Sequence, residues 1–212
     1  MKNNRGERMN GLLLLLMACG LFLAGCARTA PISYYQLSPL EVPGKSQLLA
    51  EADKLVIGIG PVRLPEYLDR LRLVTRLSPT RLQLADSHRW AEPLSENIPR
   101  VLGENLSLLL GTDRILLYPW PSARITDYQL LVEVLHFENQ SDGTARLVVR
   151  WWVKGKDGGI VLPERRSSYL IPVTVEGREA MVGALNETLG SFCREIVREL
   201  TPVLVKPSRS GL

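Results

Sequence analysis

Two adjacent stretches decide the fold: Tyr128-Gln-Leu-Leu-Val-Glu-Val-Leu-His-Phe-Glu138, and, after Ser141-Asp142-Gly143, Ala145-Arg-Leu-Val-Val-Arg-Trp-Trp-Val-Lys154. Both are rich in β-branched and aromatic residues, and an Asp-Gly turn separates them, so they read as a long hairpin. Strand residues alternate between faces, which puts Leu147, Val149, Trp151 and Val153 on one side. Arg146, Val148, Arg150, Trp152 and Lys154 fall on the other. Trp151 and Trp152 therefore cannot both enter one core. Lys156-Asp157-Gly158-Gly159 makes a second turn, and Ser168–Val175 reads as a third strand with Tyr169, Ile171, Val173 and Val175 on one face.

Upstream, Ser33–Leu37, Lys54–Gly60 and Ile115–Tyr118 read as strands, and Leu71–Leu77 with Thr80–Ala85 as a hairpin around Ser78-Pro79. Pro61 and Pro65 are expected to hold the chain extended but outside a sheet interior. Apolar residues at 94, 98, 101, 102, 106, 109 and 110 have helical spacing, with Ser95 or Asn97 as N-cap, Pro99 in the first turn or at a kink, and Gly111 as the stop. A second helix is predicted over 178–200, its stripe running through Leu185, Leu189, Phe192 and Ile196. Arg194, Glu195, Arg198 and Glu199 fall on its wet side, and residues 201–212 form a tail. Strand runs interrupted by isolated helices predict an α+β fold: a single mixed, largely antiparallel β-sheet with two long helices packed on one face, a two-layer sandwich.

The N-terminus is an address. Lys2, Arg5 and Arg8 precede an apolar run from Leu12 that ends Leu23-Ala24-Gly25-Cys26, the pattern of a signal peptide too short for a comfortable membrane span. The ending resembles the bacterial lipobox, which implies cleavage before Cys26 and acylation of its thiol. The expected organisation is a signal peptide over 1–25, a lipidated Cys26 with tether over 26–32, one domain over 33–200 and a tail over 201–212. Ala27, where Asp would resemble an inner-membrane retention signal, points to the periplasmic face of the outer membrane. More than one acyl chain makes such an anchor stable.

The whole chain has 212 residues, 26 Lys+Arg against 22 Asp+Glu, three Cys and two His. A net charge of +4 hints at nucleic acid, but cleavage removes Lys2, Arg5, Arg8 and Glu7 and leaves 23 basic against 21 acidic residues. A nearly balanced exported protein argues against a nucleic-acid partner. Cys193 is then the one cysteine left besides Cys26, which excludes an intrachain disulfide.

Catalytic signals are sparse. His88 and His136 are the two histidines, and no nucleophile elbow, Walker loop, dinucleotide fingerprint or zincin motif occurs. Gly58-Ile59-Gly60 runs into Pro61, which blocks the helix a phosphate loop requires. The reading is of a non-enzyme with no metal and no cofactor beyond the lipid on Cys26. Arg72, Arg76 and Arg81 share a face of the first hairpin, either as a solvated edge or as a basic surface for an acidic partner or lipid headgroups.

The order of pieces carries a resemblance: Ser33-Tyr34-Tyr35-Gln36-Leu37, Ile57-Gly58-Ile59-Gly60-Pro61-Val62, Leu64-Pro65-Glu66-Tyr67-Leu68-Asp69-Arg70, Arg89-Trp90-Ala91-Glu92-Pro93-Leu94 and Tyr118-Pro119-Trp120. In this order the chain resembles the PqiC (YmbA) family, the ABC-type transport auxiliary lipoproteins. The resemblance implies an outer-membrane accessory subunit of a Pqi-type system. Its partner would be an MCE-domain protein spanning the periplasm, with roles in lipid movement and envelope integrity. It carries over no catalytic residues, and Gly103 stands where many relatives have Ala. The expected partner-binding set is Arg63, Tyr67, Leu68, Arg70, Arg72 and Trp152, with Tyr67 and Leu68 read alternatively as core caps. A lipid-binding carrier and a structural envelope lipoprotein are the competing readings, and the sequence leaves a homo-oligomer open.

Overall fold

The computed structural model describes residues 31–41, 55–121 and 126–204. The signal peptide, Cys26 and the tail beyond Leu204 lie outside them. The elements run β1 (Ser33–Tyr35), β2 (Ile57–Arg63), β3 (Arg72–Ser78), β4 (Arg81–Trp90), α1 (Leu94–Leu110), β5 (Ile115–Leu117), β6 (Tyr128–Gln140), β7 (Thr144–Gly155), β8 (Ile160–Pro172) and α2 (Arg178–Leu204).

The strands form one mixed sheet around β6, as expected. On one side β7 pairs antiparallel with β6, and β8 antiparallel with β7. The other edge of β6 is shared. Its first half takes β2 in parallel, from Ile57↔Tyr128 to Arg63↔Glu133, with β5 beyond it. Its last residues take β3 in parallel at Thr75↔Asn139, with β4 and then β1 beyond. Residues 64–71 carry the chain from one half to the other.

Of the two faces that alternation gives β7, the one with Leu147, Val149, Trp151 and Val153 turns inward: all four are essentially inaccessible, and they pack with Phe192 and Ile196 of α2 and Leu102 and Leu106 of α1 in one core. Each such side chain contributes on the order of 1.5–3 kcal/mol of burial. Trp151 meets Phe192 edge-on at 6.0 Å and donates to Ser167 Oγ at 3.1 Å. Trp152, one residue on, is only half-buried on the face without helices.

Several boundaries differ from the sequence reading. β1 ends at Tyr35. β2 runs through Pro61, which is tolerated because the register with β6 shifts between Ile59 and Val62. β8 begins eight residues early, at Ile160. It contains Pro163 because it is an edge strand with a register shift opposite Trp152. α1 spans the predicted residues and ends at Gly111, whose φ of 71° lets its N–H reach Ser107 O. Its N-terminus, however, has Pro93 at the cap position with no side-chain cap of its own. Asp69, from the 64–71 crossover, accepts from Ser95 N at 3.2 Å instead. Pro99 sits in the second turn, not the first. Gly103 has a packing reason: a Cβ there would lie 2.9 Å from Leu117 Cδ2, so its absence lets β5 approach α1.

α2 continues four residues beyond prediction to Leu204, because Leu200 and Leu204 are both buried. Its acids are not simply solvated. Glu195 accepts from Ser167 Oγ at 2.7 Å and from the Tyr169 hydroxyl, and Glu199 pairs with Arg165 at 2.6 Å. These bonds tie the helix to β8, and burial beside Glu195 raises the Tyr169 hydroxyl pKa.

The segment after β1 lies along α2. Leu37 is buried, Ser38 exchanges hydrogen bonds with Asn186, and Leu40 N donates to Asn105 Oδ1 of α1 at 2.7 Å. Gly190 makes this possible, since a Cβ there would come within 2.6 Å of Leu40 Cδ2. Gly190→Ala is therefore expected to destabilise the protein by about 1–3 kcal/mol through overpacking, despite the better helix propensity of Ala. Urea denaturation of Gly190→Ala, with and without Leu40→Ala, checks this: the second substitution should recover most of the loss due to the first.

Candidate docking surface and its buried support

The crossover from β2 to β3 places most of the predicted partner-binding residues, and it divides them. Leu68 is 1% exposed and belongs to the core. The Tyr67 ring is half-buried, and its hydroxyl donates to Glu138 Oε2 at 2.9 Å. Arg63 and Arg70 are exposed. Arg70 is at 4.0 Å from a fully solvated Glu66, a pair worth little. Arg72 donates from Nε to Ala85 O at 2.9 Å and pairs with Asp86 across the hairpin. Trp152 sits across from Leu131 on the open face of β7, well along β6 from the contacts of Tyr67. The six residues thus fall into an inward pair, an exposed basic rim and a separate aromatic position.

What supports this surface is a buried charge cluster that sequence patterns do not show. Glu138 is 1% exposed. Arg76 Nε donates to Glu138 Oε1 at 2.7 Å, His136 Nδ1 lies 2.9 Å from the same oxygen, and Phe137 N donates to Oε2 at 2.9 Å. Arg76 Nη2 also reaches the Tyr67 hydroxyl at 3.2 Å, and its guanidinium lies 5.6 Å from the centre of the Tyr67 ring. Arg76 is therefore not on a solvated edge: β3 turns it into the seam between β3 and β6. Glu138 reads in sequence as the polar end of a strand, and its partners Arg76 and Tyr67 are 62 and 71 positions away.

The electrostatics follow from that geometry. Burial alone would raise the Glu138 carboxyl, but hydrogen bonds from Arg76, His136 and Tyr67 outweigh it and hold the pKa below its ordinary value of 4.5. Burial next to that carboxylate pushes the Tyr67 hydroxyl up to about 12. Cys193 is fully buried, and burial pushes its thiol to about 12, so at neutral pH it is protonated and packs as a small apolar group. Asn105 Nδ2 lies 3.6 Å from its sulfur. His88 bonds the Tyr35 hydroxyl at 2.9 Å. Among the described residues no group of three or more His, Cys, Asp or Glu could hold a metal ion, and no helix is long and apolar enough to cross a membrane. The arrangement is built to hold a surface rigid, with its ionisable groups occupied by one another.

Residues 35–197 match the model of the ABC-type transport auxiliary lipoprotein component, and the chain belongs to that family. Within it the chain is 28% identical over 189 residues to the intermembrane transport lipoprotein PqiC of Escherichia coli K12, covering 87% of this chain and 97% of that protein. PqiC of Shigella flexneri matches to the same extent. Among solved structures, protein XCC0632 from Xanthomonas campestris shares the fold with a TM-score of 0.65 at 16% identity, covering 81% of this chain and 96% of that one. A crystal structure of an uncharacterised protein does so with a TM-score of 0.66 at 22% identity, over 80% and 99% of the respective chains.

Removing the carboxylate from this cluster leaves Arg76 facing a low-dielectric seam. Glu138→Leu is expected to cost about 3–5 kcal/mol in urea denaturation at pH 7. The Glu138 pKa is lower folded than unfolded, so its contribution is full above the ordinary value and is lost as pH falls through the folded one. The stability gap between the native protein and Glu138→Gln should therefore narrow from pH 7 to pH 3. A gap that is constant with pH would contradict the assignment.

Proposed function

We propose that the chain is the membrane-anchored, non-enzymatic accessory lipoprotein of a Pqi-type intermembrane lipid transport system. Its anchor is acylated Cys26 on the periplasmic face of the outer membrane. Its partner is the periplasm-spanning MCE-domain protein. The observation that carries this reading is the match to PqiC over 97% of that protein's length, together with Leu23-Ala24-Gly25-Cys26 at the N-terminus. The occupied ionisable groups and the protonated Cys193 support a binding role over catalysis.

Within this reading the partner meets the exposed rim of the crossover, Arg63, Arg70 and Arg72, and the helix-free face at Trp152. Tyr67 and Leu68 act from beneath, fixing the backbone that presents the arginines. Arg63 and Arg70 are the cleanest probes, because neither supports the interior.

Two outcomes are expected. Cys26→Ala should move the protein from the outer-membrane fraction to the soluble periplasmic fraction and abolish labelling by a fatty-acid probe. Arg63→Glu with Arg70→Glu should leave urea stability within about 0.5 kcal/mol of the native protein, while co-purification of the MCE-domain protein falls by at least about tenfold. Undiminished co-purification by the stable double variant would place the contact elsewhere.

A further inference from the structure

Two of the ordered motifs, Ser33-Tyr34-Tyr35-Gln36-Leu37 and Arg89-Trp90-Ala91-Glu92-Pro93-Leu94, meet where β1 pairs with β4. The end of β4 lies between β1 and β3, and one row crosses all three strands: Tyr34 registers with Arg89, and Arg89 with Arg72. Trp90 and Leu73, the next residues along, are buried in the core, so alternation turns Arg89 and Arg72 to the helix-free face. Tyr34, at the end of the row, is 61% exposed.

The row sets two cations against each other. Trp90 N donates to Leu71 O, which makes Arg72 and Arg89 a non-hydrogen-bonded pair, the kind in which facing side chains stand closer. Like charges directly opposite in a ladder are destabilising. Arg72 is provided for: Ala85 O accepts from its Nε at 2.9 Å, and Asp86 pairs with its Nη2. Arg89 is not. It makes no ion pair with any described residue, and its Nε is buried without an acceptor. The carboxylates around it are engaged elsewhere, Asp69 by Ser95 N and Glu92 by Arg100 and Asn97. The helices of the other face differ, since Arg100, Arg194 and Arg198 each lie on a carboxylate. A buried donor without an acceptor is costly, and the guanidinium fork matches a carboxylate.

We propose that Arg89 is a docking residue that takes a carboxylate from an acidic segment of the protein partner. This deepens the reading above and rests on it: Arg72 belongs both to the crossover rim and to this row, so the two form one basic surface. Asp86, whose side chain is 97% exposed, already shows on Arg72 the chemistry that the partner brings to Arg89. The partner's carboxylate accepts from Arg89 and screens it from Arg72, and Tyr34 flanks it. The repulsion left in the free protein is thereby relieved on docking.

The test uses the full acylated lipoprotein in a maltoside detergent, which carries no phosphate. Its Arg89 and Arg72 Nε resonances are followed during titration with acetyl-tetraglutamate amide and, separately, with inorganic phosphate. A saturable shift of both with the peptide is expected. Read at Arg72, the midpoint should rise about tenfold or more in Arg89→Gln, while Arg198→Gln, the same charge change on the opposite face, leaves it unchanged. Co-purification of the MCE-domain protein should fall by about tenfold in Arg89→Gln, with a urea midpoint no lower than that of the native protein. No saturable shift at Arg89 with the peptide would overturn the site. Saturation at lower concentrations of inorganic phosphate than of peptide would assign the row to a phosphate group and overturn the carboxylate. Should Arg89→Gln not fold, the native titration still decides. A native chain that retains no MCE-domain protein would count against the reading above and leave the peptide titration to decide the Arg89 site. Equal retention by the native chain and Arg89→Gln would overturn this inference alone.

Discussion

A single strand edge shared by two partners governs this structure. β6 is 13 residues long, and β2 claims the near half of one edge while β3 claims the far end. The backbone between the two pairings, from about Val134 to Glu138, has no neighbouring strand on that side. Its register with β7 also slips, at Leu135. The Glu138 carboxylate fills the gap: it takes the Phe137 N–H and holds Arg76 of β3 and Tyr67 of the crossover. Buried backbone groups must find partners, and here a side chain supplies what a strand cannot. The charge this brings into the interior is tolerable because Arg76 and His136 come with it.

From that seam the rest of the domain is positioned. The crossover, tied at Tyr67 and Leu68, presents Asp69 to the start of α1, so the helix is capped from a distance. α1 and α2 then cover the same face of the sheet, with the segment after β1 in contact with both through Asn105 and Gly190. The exposed arginines at 63 and 70 stand on this frame, held in place by a backbone that cannot shift without disturbing the Glu138 cluster. Helix and sheet are joined again at the opposite side of the core by Glu195 and Glu199, which accept from β8. Positions on α2 that periodicity assigns to the wet side are there contact positions with the edge strand.

The family and the surface correspond in a physical sense. In the interior Glu138, Arg76, His136 and Tyr67 satisfy one another and the Cys193 thiol is protonated, while Arg63 and Arg70 face solvent. The motif Pro65-Glu66-Tyr67-Leu68-Asp69-Arg70 combines both uses: Tyr67, Leu68 and Asp69 build the frame, and Arg70 faces solvent.

The sequence by itself determined the elements whose information is local. Alternation placed Trp151 and Trp152 on opposite faces, helical spacing placed α1 over Leu94–Leu110, and Gly111 ended it, because strand pleat and helix period act over a few neighbouring residues. It also carried the lipobox and the ordered motifs. The tertiary structure alone decided the rest: the division of the β6 edge, the cap from Asp69, the use of Glu195 on β8 and the burial of Glu138 with Arg76. Each of these depends on residues tens of positions apart. A lone Glu in a strand or an Arg in a hairpin has the same local pattern whether water or an opposite charge meets it. Which one does is a matter of long-range pairing.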